Sequence, residues 1–309
     1  MNILVTGAAG YIGSELIRDL LAEGHRVVAY DSLLYDVGSL LRYAGDENFA
    51  FVRGDVRDRA TLSGLVTQSD IIIPLAALVG YPLCEERPQE ALEVNYETNR
   101  WLAAVKSNDQ RIIYPCTNSG YGTSIDGSVR TEDSPLNPVS FYGRTKVDAE
   151  EVYRSTTNCT TFRLATVYGP SSRMRTDLLV NNFVLRALRD KVLVLYECEF
   201  MRNYVHVVDV CSAFVHVINN WDSCKEQTYN VGNDALNMNK LQLAQQIKHH
   251  IPLEIIQAEF TKDPDVRDYV VSSEKFYGTG FECHYDLDEG IRQLKQVYKM
   301  IEEPWYANY

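Results

Sequence analysis

Tyr142 and Lys146 stand four residues apart in a segment with helical patterning, so both side chains project from one face. An ammonium close to a phenol favours the phenolate and lowers the tyrosine pKa. Such a tyrosine can take the proton of a sugar hydroxyl while hydride leaves the same carbon for a nicotinamide, and the lysine can also reach the nicotinamide ribose. A tyrosine and a lysine at this spacing are common on protein surfaces, so the pair needs a third element. Thr117 supplies it. It sits in the loop PCTNSGYG, directly after an apolar strand, where open α/β sheets bind ligands, and its hydroxyl can bond the same substrate oxygen.

A cofactor site is written at the N-terminus. In GAAGYIG the glycines Gly7, Gly10 and Gly13 follow a strand and open a helix. One glycine permits the tight turn, one lets backbone approach a pyrophosphate, and one lets helix and strand pack closely. Tyr11 and Ile12 fall inside the same turn, and the helix start faces the negative charge. Asp31 ends the second strand roughly 20 residues on, where a carboxylate accepts hydrogen bonds from the adenosine ribose and repels a 2′-phosphate. The next residue is Ser32, not arginine, so the expected cofactor is NAD. Asp55 and Val56 follow the third strand and are expected at the adenine edge. Leu75, Ala76 and Ala77 follow the fourth, beside the pyrophosphate. Asn95, in the next helix, is grouped with the cofactor residues as a fixer of nearby backbone.

Positioning these groups requires alternating strands and helices. Strands are predicted at 3–6, 27–30, 49–53, 70–75, 111–115 and 160–164, with helices at 13–23, 86–106 and 142–154. Gly24 is placed to end the first helix. This alternation predicts a doubly wound parallel α/β sheet of Rossmann type. Beyond Gly169–Pro170 the pattern loosens: helices are expected at 178–188, 210–218, 240–250 and 288–301, and short strands at 204–206 and 229–231. The expected division is an NAD-binding domain over 1–168, its sheet completed by part of 203–232, and a smaller, interleaved substrate domain over 169–309. The aromatic end PWYANY is expected to pack on a neighbour or to close the core.

The chain has 309 residues, is 45% hydrophobic and carries a formal charge of −12. That is enough to bury a large core. An acidic chain is a poor non-specific partner for nucleic acid. Seven cysteines without CxxC spacing read as free thiols in a reducing compartment. No signal peptide and no apolar run of about 18 residues stands out, so a cytoplasmic protein without a membrane partner is expected. The six histidines assemble no metal set with cysteines or carboxylates, and no metal is assigned. His206, in a strand-like segment, reads as a core residue.

The glycine triplet, Thr117 before the Tyr121–Gly122 pair, and the Tyr142/Lys146 pair together resemble the extended short-chain dehydrogenase/reductase family, the sugar-nucleotide epimerases and dehydratases. The segments RNYVHVVDV at 202–210 and NVGN at 230–233 extend the resemblance over essentially the whole chain. It implies NAD, a transient 4-keto sugar, frequent homodimers, and Thr117, Tyr142 and Lys146 as the catalytic set. Arg202 and Arg267 match arginines that hold the substrate diphosphate, a task that suits the planar guanidinium. Asn181 fits a diphosphate contact as well. Arg173 and Arg175 face the substrate phosphates, or a dicarboxylate such as 2-oxoglutarate, or else plain solvent. Val79 and Tyr81 border the sugar pocket, and Asn118 and Ser119 after the catalytic threonine are expected to bind substrate as well.

Three positions depart from the family. Pro74 replaces a common histidine. Asn118 and Ser119 stand where the 4,6-dehydratases carry Asp and Glu, and neither can donate a proton as a carboxylic acid does, so dehydration is not expected. Ser119 also replaces the cysteine of a C3/C5 double epimerase. What remains is redox at C4. The segments DIIIPLAALVG, YPCTNSGYG, TFRLATVYG and RMRTDLLVN resemble bacterial enzymes acting on GDP-linked manno-heptose for surface polysaccharide. That resemblance implies a C4 oxidation of a GDP-sugar. A UDP-hexose 4-epimerase is the alternative, and a non-catalytic NAD-binding regulator is a third.

Overall fold

The computed structural model describes residues 1–35, 38–123, 128–258 and 267–301; the PWYANY end lies outside them. Strand β1 (Asn2–Thr6) leads through the glycine turn into helix α1 (Gly13–Ala22), which returns the chain to β2 (Arg26–Asp31). Gly24 ends α1 in the left-handed region at φ 76°, with its N–H on the Leu21 carbonyl and that of His25 on the Leu20 carbonyl. β3 (Phe49–Arg53), α2 (Arg59–Thr67) and β4 (Ile71–Pro74) follow. The cap of α2 is Asp58, whose carboxylate accepts from the Ala60 and Thr61 amides.

The single helix expected over 86–106 is broken. Pro88 has no N–H to donate back to the preceding turn, so the chain stops after α3 (Tyr81–Glu86) and restarts as α4 (Pro88–Leu92). A π turn at Glu93–Glu97 then precedes α5 (Thr98–Val105). β5 (Arg111–Thr117) runs into a tight 3₁₀ turn over Asn118–Tyr121, and a short β6 (Val129–Arg130) follows. Helix α6 (Phe141–Arg154) begins at Ser140, whose hydroxyl caps the Gly143 amide. β7 (Cys159–Leu164) closes this part of the chain.

The remainder alternates between the sheet and a smaller layer: β8 (Thr166–Tyr168), α7 (Leu179–Arg189), β9 (Val192–Tyr196), β10 (Met201–His206), α8 (Val207–Asn219) and the one-turn α9 (Trp221–Cys224). Then come β11 (Thr228–Val231), β12 (Asn233–Asn239), α10 (Lys240–His250), β13 (Glu254–Ala258), β14 (Val270–Val271), α11 (Glu274–Tyr277) and α12 (Leu287–Val297). The last helix stops four residues before the expected end.

One sheet in the order β11-β7-β5-β4-β1-β2-β3 carries the fold, all its pairings parallel. Its central strands are apolar on both faces because helices cover both. This is the doubly wound α/β architecture that the alternation predicts. β10 does not join that sheet: it pairs with β8 and β12 in a three-stranded layer, packed with α7, α10 and α12 around a second core. β12 (NDALNMN) is too polar to read as a strand, and its pairing with β10 creates it. His206 is buried, as expected of a core residue. Its Nδ1 caps α8 at the Val208 amide, its ring stacks on Tyr285, and burial pulls it down to about 4. The seven cysteines form no disulfide. Among the described residues no helix is long and apolar enough to cross a membrane.

Candidate functional site

A cavity of about 800 Å³ opens at the carboxyl ends of β1, β2, β4 and β5 and reaches across to the smaller layer. One end is built by the glycine turn. Gly7 has φ 65°, and a Cβ there would lie 2.5 Å from the Ala76 amide nitrogen. A Cβ on Gly13 would lie 2.6 Å from the Gly7 carbonyl oxygen. Only glycine fits, because turn, helix and the β4 loop meet there without side chains. Helix α1 starts after Ile12 with no side-chain cap, and Gly7, Gly10, Tyr11, Ile12 and Gly13 all line the cavity. Uncapped amides at a helix start, in a cradle that any Cβ would fill, fit the pyrophosphate of a dinucleotide.

Asp31 lines the same end. Its carboxylate accepts the Ala9 amide at 3.0 Å and the Leu33 amide at 2.7 Å, which fixes it at the end of β2. Asp55, Val56, Leu75, Ala76 and Ala77 line the cavity too. The Asp55 carboxylate is gripped by Arg57 at 2.7 and 3.0 Å, and that guanidinium holds it below the usual carboxylate range. Tyr11 bonds across the molecule, its hydroxyl donating to the Gly169 carbonyl at 2.6 Å. Asn95 fixes nearby backbone as expected, but its grouping with the cofactor residues is corrected: it does not line the cavity. The π turn swings it inward, where Oδ1 accepts the Leu78 amide at 2.9 Å and Nδ2 donates to the Leu78 carbonyl at 3.0 Å. It braces the loop after β4 and has no cofactor-facing surface.

Thr117, Tyr142 and Lys146 border one cavity with the glycine turn. Thr117 ends β5, and its hydroxyl accepts from the Ser119 amide and donates to Ser119 Oγ, both at 3.1 Å. Lys146 lies one turn after Tyr142 in α6. It is 4% exposed, with Nζ 4.2 Å from the centre of the Tyr114 ring. Burial lowers Lys146 to about 8, and burial raises the Tyr142 phenol above its ordinary value. The expected depression of Tyr142 by Lys146 is therefore overruled in the free protein. Withdrawal from water outweighs the cations near the phenol, chiefly Arg175 and Arg267.

The far end is cationic. Arg267 donates to Ser119 Oγ at 2.6 Å, so Ser119 ties the catalytic turn to the C-terminal half. Arg202 is buried and donates to the Met201 carbonyl, with its guanidinium 6.0 Å from the Tyr269 ring. Arg173 and Arg175 are buried rather than solvated, and both line the cavity. Arg173 lies over Tyr35 and donates to the Met174 carbonyl, while Arg175 is ion-paired to Asp177. Val79 and Tyr81 line the cavity beside them.

Two substrate candidates do not reach it. Asn181 is buried, accepts the Gly169 amide at 3.0 Å and donates to the Arg175 carbonyl at 2.9 Å, so it is consumed in shaping the 169–175 loop. Asn118 is buried with neither end of its amide hydrogen-bonded. The lining also holds residues that sequence reading missed: Lys240, Asp177, Tyr269, Tyr35 and Arg57. Lys240 opens α10 and gains its place only through the unpredicted β12. Arg57, Asp177 and Tyr269 each lie two residues past one that was singled out, namely Asp55, Arg175 and Arg267, so these three carried a local signal. Among the described residues, seven Lys and Arg against four Asp and Glu line the cavity of a chain with net charge −12, so the local sign is reversed where an anionic ligand would sit.

The chain is 29% identical to the low-salt glycan biosynthesis protein Agl12 of Haloferax volcanii, over 96% of this chain and 98% of that one. It is 34% identical to a UDP-glucose 4-epimerase of Mycolicibacterium smegmatis, over 70% of this chain and 72% of the relative. The structure of DesIV, a dTDP-glucose 4,6-dehydratase of Streptomyces venezuelae with NAD and TYD bound, superposes with a TM-score of 0.81 at 25% identity, over 97% of both chains. The family model described as the NAD dependent epimerase/dehydratase family matches residues 3–232, and the chain belongs to that family.

Proposed function

We propose that the protein oxidises C4 of a sugar nucleotide, with a GDP-linked manno-heptose or related GDP-sugar as substrate, in the synthesis of bacterial surface polysaccharide precursors. The observation that carries the reading is the convergence of Thr117, Tyr142 and Lys146 on the cavity that the glycine turn and Asp31 also line. NAD, held by the glycine turn and Asp31, supplies the hydride acceptor. The Thr117 hydroxyl bonds the C4 oxygen, Tyr142 takes its proton, and the Lys146 ammonium stabilises the phenolate. Arg202 and Arg267 hold the diphosphate. Arg173 and Arg175 add charge for the phosphates or for 2-oxoglutarate as hydride acceptor. Loss of water from the sugar is disfavoured, because no carboxylic acid follows Thr117: Asn118 is turned into the core and Ser119 is bonded to Thr117 and Arg267.

The GDP-heptose part rests on the active-site loop motifs. The second reading, a UDP-hexose-type 4-epimerase that returns hydride to the other face of the keto sugar, is supported by the 34% identity to the mycobacterial epimerase.

The test is a panel of UDP-, GDP-, CDP- and dTDP-sugars, including GDP-manno-heptose, with and without 2-oxoglutarate. Products are resolved by mass spectrometry and isomer-sensitive chromatography. A GDP-sugar product lighter by one hydride and one proton, accumulating only with 2-oxoglutarate, is the expected result. An isomer of unchanged mass formed without co-substrate replaces it with the epimerase. Bound NAD with no turnover of any sugar nucleotide leaves a non-catalytic dinucleotide-binding protein.

A further inference from the structure

The proposed catalytic set sits on two elements: Thr117 at the end of β5, followed by Ser119 in its turn, and Tyr142 and Lys146 on α6. Continuing along the same face of α6, four residues past Lys146, is Glu150. Glu150 and Arg163 form an ion pair whose side chains are each 1% exposed. Arg163 lies on β7, in register with Cys116, the residue before Thr117. Its Nη2 donates to Glu150 Oε1 at 2.7 Å, and its Nε to the two Glu150 oxygens at 3.0 and 3.2 Å. The remaining nitrogen, Nη1, donates to the Tyr121 hydroxyl at 3.0 Å and to the Glu132 carbonyl at 3.0 Å. Tyr121 is the last residue of the turn that starts after Thr117. Its hydroxyl lies 2.6 Å from Asn230 Oδ1 and 3.0 Å from the Thr131 carbonyl.

We infer that Arg163, Glu150 and Tyr121 are positioning residues that set the placement of Thr117 and Ser119 relative to Tyr142 and Lys146. The inference rests on the proposed catalytic reading. None of the three lines the cavity, so they act only through the elements they hold. A buried ion pair is a poor source of stability, because taking both charges out of water cancels most of their attraction, and apolar replacements of similar size are often neutral or stabilising. What apolar side chains cannot reproduce is direction. The Arg163 guanidinium fixes three partners on three segments at defined angles, and methionine fixes none. Stability and turnover should therefore separate when the pair is replaced.

The test is the double variant E150M/R163M, with R163K and Y121F beside it, each purified as the full chain. The double variant is expected to melt at or above the wild-type temperature and to bind NAD within about threefold of it. Its kcat is expected to fall by roughly 10²-fold, the scale of a catalytic group displaced by about 1 Å, with KM little changed. R163K keeps the charge but loses the fork, and is expected to recover only part of the rate. A folded, NAD-binding double variant with wild-type kcat overturns the inference. Should the double variant fail to fold, Y121F decides: unchanged kcat overturns the inference, and a fall in kcat at constant KM supports it.

Hydrogen exchange reads the same coupling without any substrate, and so separates this inference from the catalytic one. In R163K the amides of 118–122 and those of the first turns of α6 are expected to lose protection together. Loss in one segment alone, or in neither, overturns the inference even if wild-type protein turns over no sugar nucleotide.

Discussion

Lys146 is kept out of water although the proposed reaction uses its charge. Below about pH 8 it is protonated in the folded and the unfolded chain alike, and folding bears the full cost of desolvating it. Between about 8 and its ordinary value of 10.5 the unfolded chain still holds the proton while the folded chain has released it. The cost is therefore relieved as pH rises through that window. Lys146→Met is expected to raise the melting temperature at pH 7 and to lose that advantage by about pH 10.5, while turnover falls by roughly 10²- to 10⁴-fold. Thermal unfolding across pH, alongside steady-state kinetics, checks both signs. Thr117, Tyr142 and Lys146 were legible because a helix fixes one spacing and a strand end fixes one loop. Asn95 and Asn181 were not, because an amide whose partners are backbone groups 17 and 12 residues away looks the same in sequence as one that faces a ligand.

At the scale of elements, the glycine turn is the least forgiving part of the site. Gly7→Ala combines a left-handed φ with a Cβ 2.5 Å from backbone that cannot move without breaking the β1–β4 register. The strain alone costs of order 1–3 kcal/mol. The variant is expected to purify without nucleotide and to melt well below wild type; nucleotide released on denaturation and calorimetry measure the two effects. A Gly7→Ala protein with full NAD content would show that the turn has room that the geometry denies. The strands β1, β2, β4 and β5 were readable from their Val, Ile and Leu, β7 (CTTFRL) from its threonines and phenylalanine, and α1 from its glycine end. The break at Arg87–Pro88 carried its own signal in the proline. The π turn carried none, because inserting one residue into a helix leaves composition and rough period unchanged.

Across the whole molecule, the parts of the cavity lined by the glycine turn, Thr117, Tyr142 and Lys146 belong to the first 168 residues and most of the cationic end to the rest. The doubly wound sheet was legible from alternation alone. The smaller layer was not, because β9 with β13 and β10 with β12 are pairs whose members lie far apart in sequence and are short or polar. A chain ending at residue 168 lacks β11 and leaves the backbone edge of β7 unpaired, an open template for association. Such a fragment is expected to aggregate, and co-expression with 169–309 to bring it into solution; sedimentation of the two preparations checks this. A soluble, monomeric 1–168 would show that the edge is protected some other way.

The late arrival of β11 also matters during synthesis. When β7 leaves the ribosome, about 60 more residues must be made before its partner exists, a delay of several seconds at ordinary elongation rates. Through that interval the nascent chain carries a nearly finished sheet whose β7 margin is raw, beside the strand that ends in Thr117. A chaperone that binds extended apolar segments has its natural moment there. Expression at raised temperature is where dependence on such help would first become visible.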